Sequence, residues 1–162
     1  MVINVQVEGL KELQDKLRNA SKISFNKQFW HSIGEYLKKR TIKECFDKEQ
    51  SPYGVKWQPL SEARIKQRLK RHKTGNMKIL QDTGELRRSV RYQVYSGARV
   101  NYLVIGSNLK YSRVHNFGAN INVHRGTQSW TVKIPARPFL VITPADKKKI
   151  LDMMRSYVSR SL

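Results

Sequence analysis

The apolar positions change period repeatedly along the chain, and each change predicts an element boundary. Val2, Ile3, Val5 and Val7 read as a short strand ended by Gly9, and Leu10, Leu13 and Leu17 recur at helical spacing over 10–20. Ser24 is placed to cap a longer helix whose stripe is Phe25, Phe29, Ile33, Tyr36 and Leu37, continued by Cys45 and Phe46. Lys38-Lys39-Arg40 falls on its solvated side. Leu80 to Leu86 predicts a turn into a short helix from Thr83 to Ser89, with Asp82 and Glu85 capping around Thr83. Val90–Tyr95 and Val100–Ile105 alternate as strands about a tight turn at Ser96-Gly97-Ala98. Tyr111 to Phe117 predicts one or two helical turns closed by Gly118, and Ile121–His124 with Trp130–Ile134 forms a second hairpin.

The last element has the clearest local signals. Thr143-Pro144-Ala145-Asp146 supplies an N-cap, a proline at the first helical position and an acid at the third. Ile150, Leu151, Met153, Met154, Tyr157 and Val158 then form a stripe over about 144–160, expected to pack on the sheet through Ile150, Leu151, Met154 and Val158. The predicted class is α+β, a small and mostly antiparallel sheet flanked by helices, with a long N-terminal helix and a C-terminal helix. All of 1–162 is read as one domain.

Between the two longest helical patterns the rhythm breaks. Ser51 to Leu60 holds two prolines and one glycine, which force a loop, and Tyr53 and Trp57 give that loop apolar anchors. Ser61 then caps a helix in which only Ala63, Ile65 and Leu69 are apolar. With so little to bury, the segment 64–78 is expected to be exposed or mobile.

Charge sharpens this picture. The 162 residues carry 32 Lys and Arg against 12 Asp and Glu, a net charge of +20. Residues 1–50 have a net charge of +3, 51–100 of +9 and 101–162 of +8. Arg64 to Lys78 holds seven basic residues and no acid. Such an excess marks a surface that meets polyanions or acidic proteins. Hydrophobic residues make up 39%, enough for a folded core and too many for a wholly disordered chain. The single Cys45 excludes an internal disulfide and fits a reducing compartment, in bacteria the cytoplasm. The longest apolar runs are about four residues against the ~20 of a membrane span, and the N-terminus lacks a secretory pattern.

Candidate chemistry is sparse. His31, His72, His115 and His124 show neither HExxH pairing nor a carboxylate cluster, Cys45 has no partner base, and no phosphate-binding glycine loop occurs. No enzyme, cofactor, metal or small-molecule substrate is expected.

The punctuation itself is more telling. Ser51-Pro-Tyr-Gly-Val-Lys-Trp-Gln-Pro-Leu60, Ile79-Leu-Gln-Asp-Thr-Gly-Glu-Leu-Arg-Arg-Ser89, Val104-Ile-Gly-Ser107, Tyr111-Ser-Arg-Val-His-Asn-Phe-Gly118 and Ile134-Pro-Ala-Arg-Pro-Phe-Leu140 follow in order. Together they resemble the phage virion morphogenesis family, the tail-completion proteins of Mu-like and P2-like bacteriophages and prophages. The resemblance runs from about residue 45 to the C-terminal helix.

It implies a structural protein acting late in virion assembly, in the host cytoplasm and then at the virion tail or neck. Its implied partners are tail or head-completion proteins, further copies of itself in a ring, for which a hexamer is the candidate, and non-specifically phage DNA. The polyanion or partner contacts singled out are Arg64, Lys66, Arg68, Lys70, Arg71, Lys73 and Arg137. Arg137 has two readings: pairing or carbonyl capping inside the subunit, or contact between subunits. Tyr53, Trp57, Tyr111, Phe117 and Phe139 are the structural or interface anchors, the last three as exposed apolar contacts of a ring. A basic nucleic-acid-binding module unrelated to phage is the alternative.

Overall fold

A computed structural model describes residues 25–71, 77–97 and 101–161. The strand expected at 2–7, the helix at 10–20, Ser24 and Lys73 lie outside these residues, and the cap expected at Ser24 is supplied instead by Asn26, because the long helix begins only at Lys27.

Helix α1, Lys27–Arg40, starts at Asn26, whose side chain accepts from the Phe29 amide at 2.8 Å. Its buried stripe is Phe29, Ile33 and Leu37. A stripe spaced by fours drifts about 40° per step on an α-helix. The chain widens at this point into a π-helical turn, Thr41–Phe46, which takes back part of the drift and buries Thr41, Cys45 and Phe46. After the proline loop come α2, Glu62–Arg71, and α3, Glu85–Ser89.

Among the described residues the strands form two separate antiparallel hairpins. In the first, β1 (Arg91–Ser96) pairs with β2 (Asn101–Gly106), with Tyr92 opposite Ile105 and Val94 opposite Leu103. That face lies on α1, where Gly34 meets the Tyr92 ring so closely that a Cβ would overlap it. The other face leaves Tyr95, Tyr102 and Val104 exposed, the two tyrosine rings stacked at 4.8 Å. Helix α4, Ser112–Phe117, leads into the second hairpin, β3 (Ala119–Arg125) and β4 (Gln128–Ile134). An extended strap, 135–143, then reaches α5, Pro144–Ser161.

The C-terminal helix does not pack on a sheet as expected. Ile150, Met153, Met154 and Tyr157 of α5 cover the Phe29–Ile33–Leu37 stripe of α1, while Leu151 stays exposed. The physical reason is that α1 already occupies the inner face of the first hairpin, so α1 becomes the middle layer. The predicted cap forms: Thr143 Oγ1 accepts from the Asp146 amide at 3.1 Å, and Asp146 Oδ2 accepts from the Thr143 amide at 2.8 Å. Buried Asp146 also accepts from Tyr36 Oη at 3.1 Å and pairs with Arg40 at 2.9 Å, latching α5 to α1.

A second core joins Cys45, Phe46, Trp57, Ile79, Leu86, Val90 and Phe139. Half-buried Ile105 touches both cores.

Candidate functional site

Four of the five sequence motifs place apolar side chains in or against this second core, the Tyr111–Gly118 motif is tied to it through Asn116, and four of the five line a cavity of about 750 Å³ beside it. Gln58, Pro59 and Leu60 come from the first motif, Leu80 and Asp82 to Leu86 from the second, Tyr111 and His115 from the fourth, and Ile134, Pro135 and Arg137 from the last. Arg64 and Arg68 of α2 and Val132 and Lys133 of β4 complete the wall. The remaining motif acts from behind: Ser107 Oγ lies 2.7 Å from Ser89 Oγ at the end of α3 and accepts from the Leu109 amide at 3.2 Å. Leu80 holds a left-handed φ of 59°, a strained conformation that places its side chain at the cavity.

The strap is fastened from several sides. Two prolines set its extended path and remove amides that no strand partner would satisfy. Asn116 Oδ1, buried, accepts from the Phe139 and Leu140 amides at 2.9 Å each. Trp57 Nε1 donates to the Pro138 carbonyl at 3.0 Å, and the Arg137 amide donates to the His115 carbonyl at 2.8 Å. Buried Arg137 donates through Nε and Nη2 to the Gln58 carbonyl, at 3.0 and 2.9 Å, and through Nη2 to Pro59 at 3.2 Å. Of its two readings, the geometry is carbonyl capping within the subunit. Gly118 is required where α4 turns into β3: its φ is 76°, and a Cβ would come within 2.9 Å of the Ala136 amide nitrogen.

The basic helix departs from its expected exposure at one residue. Arg68 is 4% exposed, donates to the Lys78 carbonyl at 2.8 Å and lies 3.6 Å from Asp82. Arg64 and Arg71 reach Asp82 Oδ2 at 3.0 and 3.4 Å. Asp82 is thus the hub of three arginines, not a cap. At α3 the N-cap is Gly84, without a side-chain bond, and only a long 3.4 Å contact joins the Glu85 amide to Thr83. The correction has a simple cause: α2 folds back over the 78–82 turn, so an acid distant in sequence neutralises its inner side. Lys66 and Lys70 are exposed.

The anchors also divide. Trp57 is buried and Phe139 has 0% exposure, so Phe139 is a core residue and not the exposed ring contact expected of it. Tyr53 stands 62% exposed at the loop tip and anchors no core. Tyr111 is exposed at the cavity mouth, its hydroxyl donating to Glu85 at 3.2 Å, and Phe117 is 70% exposed.

The electrostatics follow from crowding of like charges in a partly dry wall. Burial lowers the pKa of Arg137, and the charge of Arg68 adds to this. Burial likewise lowers Arg68, opposed by Asp82 and reinforced by Arg64 and Arg71. His115 is lowered first by burial and then by Arg137 and Arg64, so its ring is neutral at pH 7. Its buried Nδ1 has no hydrogen-bond partner. Burial raises the Cys45 thiol, which keeps it protonated within the core. No group of three or more His, Cys, Asp or Glu among the described residues is placed to hold a metal. No described helix is long and apolar enough to cross a membrane.

Sequence reasoning missed Asp82 as a hub, Asn116 as a double acceptor, and the outward face of the second hairpin. In that hairpin Ile121 pairs with Val132 and Val123 with Trp130, all on one side of the ribbon. Ile121, Trp130 and Val132 are 39–45% exposed. The alternation was visible in the sequence; which face would stay uncovered was not.

A basic frame presenting donors, an apolar-walled cavity and an uncovered ribbon is equipped for binding other macromolecules. Comparison with known proteins gives the particular family: the chain belongs to the phage virion morphogenesis family, which matches it over residues 5–159. It is 40% identical over 57 residues to the Mu-like prophage FluMu G protein 2 of Haemophilus influenzae, a stretch covering 35% of this chain and 38% of that protein. The chain therefore spans less than two fifths of that relative in the match. No solved structure matches it.

Proposed function

We propose that this phage morphogenesis protein completes the tail, at its end or at the head–tail joint, as a ring of copies around the DNA path. The observation that carries the reading is the apolar face of the β3–β4 arm. An isolated two-stranded ribbon is marginal in water unless something packs on it. Within one copy Ile121, Trp130 and Val132 keep 39–45% of their surface exposed. A ring is built from heterologous contacts, one patch meeting a different patch on the next copy. The outer face of the first hairpin, with Tyr95, Tyr102 and Val104, offers the second patch. The occupant of the arm face is a second copy of this chain.

The charge supports the sequence of events. Copies at +20 repel one another until DNA or an acidic tail surface offsets the field. Exposed Lys66 and Lys70 on α2 and Lys147 to Lys149 on α5 are the groups available to phosphates. Family membership removes the reading of a nucleic-acid module unrelated to phage, but leaves DNA contact as part of this proposal. Before assembly the protein resides in the host cytoplasm.

The test is mass measurement in solution with and without tails, together with complementation by an Ile121→Ser, Trp130→Ser double variant, both positions lying outside the cavity wall. The expected result is a ring on tails for the parent and a folded protein that completes no infectious particles for the variant. A parent that stays monomeric on assembled tails, or a variant that completes particles normally, overturns the reading.

A further inference from the structure

The cavity at the motif junction carries an inference independent of the ring. Its wall joins two chemistries. Leu60, Val132 and Ile134 make it apolar, while Arg64, Arg68, Lys133 and Arg137 outnumber Asp82 and Glu85. Asp82 is shared by Arg64, Arg68 and Arg71 and Glu85 accepts from Tyr111, so the positive charge of the wall exceeds what its two acids neutralise. The volume, about 750 Å³, falls within the range of preformed ligand sites.

We propose that this cavity is a receptor for a short acidic peptide segment of a partner protein, its apolar side chains on the Leu60–Val132–Ile134 wall and its carboxylates on the basic rim. That the partner is another virion component rests on the proposed function; the cavity's preference does not.

Several observations favour a peptide over DNA. A phosphodiester backbone offers nothing to an apolar wall, and a duplex is too wide to enter a cavity of this size. An extended peptide alternates its side chains and so satisfies both chemistries at once. Burial is the first cause that lowers the pKa values of Arg68, Arg137 and His115, and neighbouring cations add to it, Arg68 on Arg137 and then Arg137 and Arg64 on His115, a crowding of positive charge that a carboxylate relieves. The unpartnered Nδ1 of His115 leaves the wall with a hydrogen-bonding group still unused inside the subunit.

The experiment uses the full chain and a fluorescein-labelled peptide of alternating Glu and Leu, read by anisotropy at physiological salt. Its Gln-for-Glu counterpart and an unlabelled single-stranded oligonucleotide serve as comparisons. The acidic peptide is expected to bind, and the Gln peptide to bind more than about tenfold more weakly. Lys133→Glu, at the cavity rim, is expected to weaken binding about tenfold, and Thr83→Trp, which fills the cavity from an exposed position, to do the same. Lys147→Glu makes the same net charge change on distant α5 and is expected to leave binding unchanged. Circular dichroism establishes that each variant is folded.

Equal losses in Lys133→Glu and Lys147→Glu would reduce the effect to overall charge and overturn the proposal. So would equal binding of the Gln peptide, full competition by the oligonucleotide, or no binding at all. Because the isolated chain is measured, failure here leaves the ring reading standing, and failure of the ring leaves this result readable.

Discussion

The β3–β4 arm and the strap that follows it belong to one continuous stretch, 119–143, yet they treat large apolar side chains in opposite ways. Trp130 on the arm is 45% exposed, whereas Phe139 on the strap has no exposure. The difference lies in where each backbone finds its hydrogen bonds. The arm satisfies itself, strand on strand, and needs nothing from the body of the protein. The strap has no partner strand, so its amides and carbonyls must find Asn116, Trp57 and His115, and those bonds draw it into the core. An internally paired ribbon can present an apolar face outward; an unpaired segment is bound to the body by its own polar groups.

The contrast can be broken at its strongest point first. Phe139→Ala empties a site among Phe46, Trp57 and Leu86 and is expected to destabilise the protein by about 3–5 kcal/mol, measured by urea unfolding. A loss below about 1 kcal/mol would mean that the strap is not held as described. Gly34→Ala comes next. The usual helix gain of up to about 1 kcal/mol is outweighed by overlap with Tyr92, for a net loss of about 1–3 kcal/mol. Thermal unfolding that rises in this variant would show that α1 and β1 stand further apart.

His115 sharpens the comparison through pH. Its folded pKa lies below the unfolded value of about 6.5, so the unfolded chain binds the extra proton first. The lowered pKa therefore adds no pH-dependent cost above that value and becomes destabilising as pH falls through about 6.5. Wild type is expected to lose more stability than His115→Gln between about pH 7.5 and 5.5, other groups being common to both. Parallel curves would show that His115 titrates normally. The smallest effect belongs to the arm. Trp130→Ala removes one cross-strand contact and is expected to cost about 1 kcal/mol or less. A loss matching that of Phe139→Ala would erase the distinction between the two regions.

Much of the fold was legible because its signals are local. The Thr143–Asp146 cap, the α1 stripe and the two hairpins each rest on residues within a few positions of one another, where spacing alone dictates geometry. The site was legible as motifs and not as a place. Nothing in the spacing of Trp57, Asp82, Asn116 and Arg137 says that they meet.

What the sequence determined by itself, then, is the α+β class, the element order, the basic charge and the motif set that places the chain in its family. Tertiary structure alone decided that α5 would lie on α1, that Asp82 would gather three arginines, and that Phe139 would be buried while Trp130 stayed outside. Periodicity specifies which side chains share a face, because it follows from backbone geometry. Whether that face is covered depends on the competition among all such faces for a limited interior, and that competition is settled only when the whole chain packs.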